Sequence, residues 1–342
     1  MTYKLKNNNL CVWVPYISNY GGSDVSNRTI AGGLTKAGVK VYLQSFHYYF
    51  EFAPWLLSRK KAPPGTSIIL ANSWYGFAFA RPGCRLVTVD RLCVHDPVLE
   101  PYKKFGQRIF HNQLIKRYVV ASAKQADTTV AVSHYTADLY PKELGLPRPL
   151  VITNAVDTDF FVPAPNGKPS LRGRKVKLLF VGNLIARKGV DMFAPIMQRL
   201  GPGYELYYTA GLRTRDMLEK SKNMYPLGKL DQAQILKEYQ KADLLLFPSR
   251  GEGLPRAVME ALACGTPVVA SRVSSLPEAI DEKVGELCPM DDVDAFVQAI
   301  KRLTNDQDQL VKFSENARSR ALERFSLTRM IQEYIDLFQR II

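Results

Sequence analysis

Residues 243–271 read DLLLFPSRGEGLPRAVMEALACGTPVVAS. The apolar run Leu244–Phe247 has the length and all-round hydrophobicity of a strand buried on both faces of a parallel sheet. Pro248 ends it, and a loop holding Glu252 and Gly253 follows. Pro255 suits a first helical position, which needs no N–H donor. Ala257–Cys264 is helix-prone, and Gly265 offers the left-handed stop. Thr266–Ser271 is the next strand. The pattern is strand, loop, helix, strand, with a helix N-terminus leaving the carboxyl edge of a sheet.

Such a helix start attracts anions, because its N–H groups are free and its dipole is positive there. Yet Glu252 and Glu260 flank it, and two carboxylates repel a bare phosphate. Ionised carboxylates are acceptors and suit hydroxyls. A diphosphate on the amides with a polyol at each end satisfies every charge, which describes a nucleotide diphosphate sugar. Two glutamates alone would be read as a solvated crossover; the whole stretch carries more.

From Glu252 to Ser271 it resembles the E-x7-E signature of the retaining GT-B glycosyltransferases, the large family that includes sucrose synthases and phosphatidylinositol mannosyltransferases. Glu252 and Glu260 have that spacing, followed by an Ala-Leu-Ala-x-Gly-x-Pro-Val-Val-Ala-Ser pattern. Many members carry a second glycine where Pro255 stands, so here neighbouring amides must bind the phosphate. The resemblance implies two Rossmann-like, doubly wound parallel-sheet domains of α/β type facing a cleft. It also implies retention of anomeric configuration without a metal.

At 342 residues the chain suits two domains, and 46% hydrophobic content suffices for packed cores. No apolar run reaches transmembrane length, and the start lacks a secretory core. Cys11, Cys84, Cys93, Cys264 and Cys288 are scattered without metal spacing, as expected of reduced thiols in a cytoplasmic protein. The net charge is +14, and residues 1–150 hold 19 Lys and Arg against 8 Asp and Glu. That half therefore suggests an anionic partner: the inner face of a membrane, touched peripherally, or a lipid-linked or phosphorylated acceptor. Nucleic acid is disfavoured, since the cations form no stripe and no binding motif occurs.

Taken in order, Leu10–Pro15 is a strand, Tyr16–Ser23 a loop with Gly21 and Gly22, Val25–Ala37 a helix and Val39–Leu43 a strand. In the family a glycine loop here lies over the donor phosphates. Residues 44–61 crowd aromatics before Arg59-Lys60-Lys61. They form either an interfacial or acceptor-binding segment or, as we read them, a helix with inward aromatics and a solvated basic end. Ser67–Ala71 and Leu86–Val89 are strands. Relatives often place a histidine directly after the latter, near the donor sugar. Here Asp90 stands first and His95 five residues later, so either holds that place.

Phe105–Ala126 reads as a long amphipathic helix, at a membrane or on an ordinary surface. Val130–Ser133 is a strand, and Val151–Phe161 resembles the family's Asn-Gly-Val-Asp segment. The division is 1–161 for an acceptor-binding domain, 162–174 for a Pro/Gly-rich linker, 175–327 for a nucleotide-sugar domain, and 328–342 for a helix crossing back. In the second domain Val176–Val181 is a strand, followed by Gly182, Asn183, Arg187 and Lys188. Cations on such a loop suit a diphosphate leaving group. Relatives carry an arginine after the first glycine and a lysine before the second. Lys188 matches the lysine, Asn183 replaces the arginine, and Arg187 is the substitute. Leu206–Thr209 is a strand closed by Gly211, Gly228-Lys229-Leu230 faces the base, and Ile235–Lys241 is a helix. Helices close the chain near 292–304, 307–324 and 326–342.

Asp157/Asp159, Asp292/Asp294 and Asp306/Asp308 match Asp-x-Asp, a pattern too cheap to mark a metal, and two fall where Asp caps helices. No metal or cofactor is expected. The resemblance assigns Arg187 and Lys188 to the leaving diphosphate, and the amides of Gly253 and Leu254, beside Pro255, to phosphate or sugar. Glu252 orients the donor sugar, Glu260 holds the ribose, His95 lines the cleft, and Gly21, Gly22, Gly182 and Asn183 contact the donor. The expected activity is that of a hexosyltransferase moving a sugar from a UDP-, GDP- or ADP-sugar to a glycan or lipid-linked acceptor. A non-catalytic sugar-nucleotide or glycan-binding protein, a GT-B phosphorylase and a base glucosyltransferase are the alternatives.

Overall fold

The computed structural model describes residues 10–18, 21–210 and 221–342. The N-terminal start, the middle of the first glycine loop and Gly211 lie outside them. The chain forms two compact units, one of Met1–Asn154 with Leu327–Ile342, the other of Ala155–Ser326.

Unit 1 runs β1 (Cys11–Ile17), α1 (Gly22–Lys36), β2 (Lys40–Phe46), β3 (Ile68–Asn72), β4 (Arg85–Asp90), α2 (Phe105–Ile109), α3 (Lys116–Gln125), β5 (Thr128–Ala131), α4 (His134–Leu139) and β6 (Leu150–Val151). Its sheet is parallel, in the order β2-β1-β3-β4-β5-β6. Every residue of β1 is buried. The strand passes Pro15, where the sequence suggested a stop. It can do so because β3 pairs only with Val12 and Trp13, and beyond them β2 alone continues the ladder. Trp13 packs edge-on to Phe79 at 5.4 Å.

One helical expectation fails here, and a second holds with a change of winding. Residues 44–61 form no inward-facing helix. They extend β2 to Phe46 and then make two short 3-10 turns, Tyr48–Glu51 and Pro54–Arg59, leaving Tyr49, Phe52, Trp55 and Leu56 in solvent. A three-residue turn cannot gather this spacing of rings on one inner face. The long helix of 105–126 is continuous in path, but Phe110–Ile115 is wound as a π turn between α2 and α3.

Unit 2 runs β7 (Val176–Phe180), α5 (Phe193–Leu200), β8 (Tyr204–Thr209), β9 (Met224–Gly228), α6 (Gln232–Lys241), β10 (Leu244–Phe247), α7 (Arg256–Ala263), β11 (Val268–Ser271), α8 (Leu276–Ala279), β12 (Gly285–Cys288), α9 (Val293–Thr304) and α10 (Gln307–Arg324). The last helix, α11 (Leu327–Ile341), packs on α1 in unit 1. The unit 2 sheet is parallel, in the order β12-β11-β10-β7-β8-β9. Strand β9 was not foreseen, because Pro226 interrupts it; as an edge strand it tolerates the missing donor. Gly228 closes it opposite Thr209. Helix α6 starts three residues before the expected Ile235, since Asp231 and Gln234 form a reciprocal cap. Asp292 and Asp306 cap α9 and α10, while the Asp157 side chain accepts from the amides of Asp159 and Phe160.

Phe180, Phe193 and Phe247 are fully buried beneath the carboxyl edge of this sheet. Burying a ring of this size contributes about 2–3 kcal/mol. Gly265 takes φ +65° after α7, as its place in the sequence suggested. All five cysteines are unpaired thiols; four are buried and Cys84 is half-buried.

Candidate active site

In unit 2 the chain leaves β7 toward β8 on one side of the sheet, and returns to β10 on the other. The loops after β7 and β10 therefore diverge at a topological switch point, where open α/β sheets form a crevice. Residues 181–189 and 248–255 are those loops.

They lie against each other on a glycine. Gly189 has φ +68°, and a Cβ there would sit 2.0 Å from the Pro248 carbonyl oxygen. The Arg250 N–H also donates to the Arg187 carbonyl at 2.8 Å. The Arg250 side chain completes the clamp: it donates twice to Asp191, at 2.7 and 2.6 Å, and to Asp291 at 2.6 Å. Its guanidinium is thus spent on holding the loop.

The clamp brings Arg187 and Lys188 onto Glu252. Lys188 Nζ is 2.5 Å from Glu252 Oε1, Ser249 Oγ donates to the same oxygen at 2.5 Å, and an Arg187 nitrogen lies 3.5 Å from it. Arg187 also donates to the Gly251 carbonyl. The Lys188 ammonium lies 5.0 Å from the centre of the Phe247 ring, a cation–π contact. All three donors meet Oε1; among the described residues Oε2 has no partner. Glu252 is buried. Burial by itself pushes its carboxyl up, but the charges of Lys188 and Arg187 and the bonds from Lys188 and Ser249 outweigh that, leaving it below the ordinary range and ionised. Burial pulls the Lys188 ammonium below its ordinary value, against the opposing charge of Glu252.

Helix α7 starts at Arg256. Pro255, expected at the first helical position, lies one residue earlier, with an extended ψ of 128°. This ψ turns the chain into the helix while the Pro255 carbonyl accepts the first helical bond, from Met259 at 3.4 Å. Among the described residues the Gly253 N–H has no acceptor. Leu254 is buried. Glu260, one turn into α7, is already engaged: Arg256 donates to Oε1 at 3.2 and 3.3 Å, and the Tyr239 hydroxyl to Oε2 at 3.2 Å. Each oxygen keeps a second lone-pair direction. Gly182 donates to Thr209 Oγ1 at 3.0 Å, and the Asn183 side chain makes no hydrogen bond among the described residues.

In unit 1, Gly21 caps α1 and Gly22 begins it, with open space where a Cβ would stand at Gly22. Asp90 is buried, accepting from the Tyr140 hydroxyl at 2.7 Å and from the Leu92 N–H at 3.0 Å. Desolvation raises its pKa despite those bonds. His95 instead keeps a buried Nε2 without a partner. Burial, reinforced by Lys103, Lys116 and His111, lowers it to about 4, so it is a neutral imidazole at pH 7. The structure thus places the expected residues in two sets. Glu252, Arg187, Lys188 and the 253–255 loop meet directly, with Glu260 one turn behind them; Gly21, Gly22 and His95 belong to unit 1.

Reading the sequence missed Ser249, Gly189, Arg250, Arg256 and Tyr239. The Arg256–Glu260 pair was readable as an i,i+4 contact. Tyr239, on the preceding helix, left no such mark.

Residues 166–320 match the family described as "Glycosyl transferases group 1", and residues 43–160 match "Glycosyltransferase Family 4". The chain belongs to the group 1 glycosyl transferases. This group 1 glycosyl transferase is 36% identical over 115 residues to D-inositol 3-phosphate glycosyltransferase of Saccharomonospora viridis, covering 33% of the chain and 26% of that protein. It is 26% identical over 309 residues to alpha-maltose-1-phosphate synthase of Mycolicibacterium smegmatis, covering 80% of the chain and 79% of that protein. Its fold superposes on Anabaena Alr3699/HepE in complex with UDP-glucose with a TM-score of 0.74 at 16% identity, over 96% of this chain and 100% of that one. The fold is GT-B. No described helix of this glycosyl transferase is long and apolar enough to cross a membrane.

Proposed function

We propose that the chain transfers a hexosyl group, with retention, from a nucleotide diphosphate sugar to an acceptor hydroxyl. The observation that carries this is Glu252: an ionised, buried carboxylate at the switch point with Oε1 held by Lys188, Ser249 and Arg187, and Oε2 without a partner among the described residues. Oε2 accepts from a donor-sugar hydroxyl. Lys188 and Arg187 meet the charge that builds on the diphosphate as the anomeric C–O bond breaks, and the Gly253 N–H donates to phosphate. Among the described residues the side chains that meet Glu252 are Lys188, Arg187 and Ser249, and none offers a second carboxylate as a covalent nucleophile. The acceptor oxygen therefore bonds to the anomeric carbon on the face that the phosphate leaves, and a leaving phosphate oxygen takes the acceptor proton. UDP-, GDP- and ADP-sugars are the donor candidates, with a glycan or lipid-linked acceptor.

The test is to incubate the purified chain with UDP-glucose, GDP-mannose and ADP-glucose separately, following nucleoside diphosphate release and thermal stability. One donor is expected to raise Tm by mass action and to be turned over. If none of a broad donor set does either, the reading fails.

Glu260 has a narrower role, holding ribose hydroxyls with its remaining lone pairs. Glu260→Ala is expected to raise donor KM on the order of tenfold, the worth of one or two hydrogen bonds to a charged group. Tyr239→Phe, which removes only the supporting hydroxyl, is expected to change KM much less. Equal effects of the two would make Glu260 a packing residue.

A further inference from the structure

Fifteen large hydrophobic side chains are exposed among the described residues, and eight lie in just two stretches of unit 1, Leu43–Leu56 and Phe105–Ile109. Phe105 is 79% exposed, Phe52 56% and Trp55 51%. The stretches are neighbours in space. Phe52 meets Phe110 at 5.2 Å, Trp55 meets Tyr118 at 6.3 Å, and the Tyr118 hydroxyl donates to the Phe52 carbonyl at 3.1 Å. Clustered exposed rings on a chain that can fold them inward elsewhere mark a contact surface.

The charge around the rings says with what. Arg59, Lys60 and Lys61 are exposed at the end of the second 3-10 turn, and Lys104, Arg108 and Lys116 along the 105–116 helix. The acidic residues of these segments are Glu51 and Glu100, and Glu100 is occupied by Lys103 at 2.5 Å and Arg108 at 3.5 Å. A second copy of the chain would set this basic rim against an identical rim across a two-fold axis. Anionic headgroups complement it, and aromatic side chains favour the headgroup level of a bilayer.

We propose that this face of unit 1 docks on an anionic lipid bilayer, with Phe52, Trp55 and Phe105 in the interface and the basic rim on the headgroups. The helix that presents Phe105 and Ile109 outward continues into the π turn bearing His111 and Asn112. His111 packs on Trp74 at 5.8 Å, and Asn112 lies against His95. Docking therefore sets the His95 loop beside the membrane surface, where an acceptor carried on a lipid is presented.

The experiment is co-sedimentation of the full chain with phosphatidylcholine vesicles and with phosphatidylcholine–phosphatidylglycerol vesicles. Binding to the anionic vesicles is expected to be at least roughly tenfold stronger and to weaken as salt screens the rim. Phe52→Ser/Trp55→Ser/Phe105→Ser and Lys104→Glu/Arg108→Glu are each expected to lose roughly tenfold in partitioning while keeping the parent Tm. Trp55 fluorescence is expected to be quenched by brominated lipid chains, and that quenching to vanish in Trp55→Phe. Parent-like binding by both variants overturns the proposal. So does a parent dimer, seen by sedimentation equilibrium, that the same substitutions dissociate. Vesicle binding needs no donor or turnover, so this result stands apart from the test of transfer.

Discussion

Lys188→Ala is expected to cut kcat for transfer by about 10²–10³-fold, the usual consequence of removing one charge-stabilising donor from a transition state. Donor KM is expected to stay within a few-fold. The size of the effect follows from the surroundings. The ammonium is largely withdrawn from water, leans on the Phe247 ring, and is 2.5 Å from Glu252. It contributes little to the resting donor, whose charge is already spread, and most when the diphosphate takes up a full unit. Stability also changes. Glu252 keeps Ser249 and the more distant Arg187 but loses its main counter-ion, and breaking a buried pair from one side costs about 3–5 kcal/mol. The pH profile separates the two effects. In the parent the Glu252 carboxyl lies below its ordinary 4.5, so its contribution to stability is present above that value and lost as pH falls through the folded one. Without Lys188 the burial effect prevails and the folded pKa rises above that value; protonation of Glu252 then favours the folded state, so this part of the acid loss of Tm disappears and the variant's Tm deficit against the parent narrows as pH falls. Unaltered acid unfolding together with unaltered kcat would remove Lys188 from the site.

Gly189→Ala has the second large effect: a loss of about 2–4 kcal/mol of stability and of nearly all transfer. The left-handed backbone accounts for about 1–2 kcal/mol. The remainder comes from the added Cβ, which would stand 2.0 Å from the Pro248 carbonyl oxygen. Backbone cannot yield as a flexible side chain can, so loops 181–189 and 248–255 must part, taking Lys188 away from Glu252. Gly145→Ala is the control. Gly145 has φ 64° and ψ 28°, against 68° and 27° at Gly189, and nothing lies within 4 Å of its Cβ position. That variant is expected to show the backbone cost alone and to keep its activity. Equal Tm losses in the two would show that the loop contact with Pro248 does not matter.

The parts legible in the sequence were those encoded in short range. Leu244–Phe247, Gly265 and the two aspartate caps declare themselves through hydrophobic runs, a left-handed stop and local hydrogen bonding. The charge problem at Glu252 was visible too, since two acids flank a helix start. Its solution was half visible: Arg187 and Lys188 could be nominated, but their convergence with Ser249 on a single oxygen depends on where two loops meet. The aromatic stretch at 44–61 misled because rings usually signal a core, and nothing local says that the turns beneath them are too short to bury them. The π turn at 110–115 has no residue pattern of its own. Strand β9 was hidden by Pro226, which is informative only once the strand is known to be at an edge.

The unpaired cysteines have a practical meaning. Cys264 and Cys288 are pushed up to about 12 by burial, and burial drives Cys93 up as well. A thiol that stays protonated and out of solvent is a poor nucleophile. Four of the five are buried, leaving half-buried Cys84 as the one worth replacing. The native chain is then a nearly silent background on which one engineered cysteine, at Phe105 or on the 181–189 loop, can carry a fluorophore or spin label.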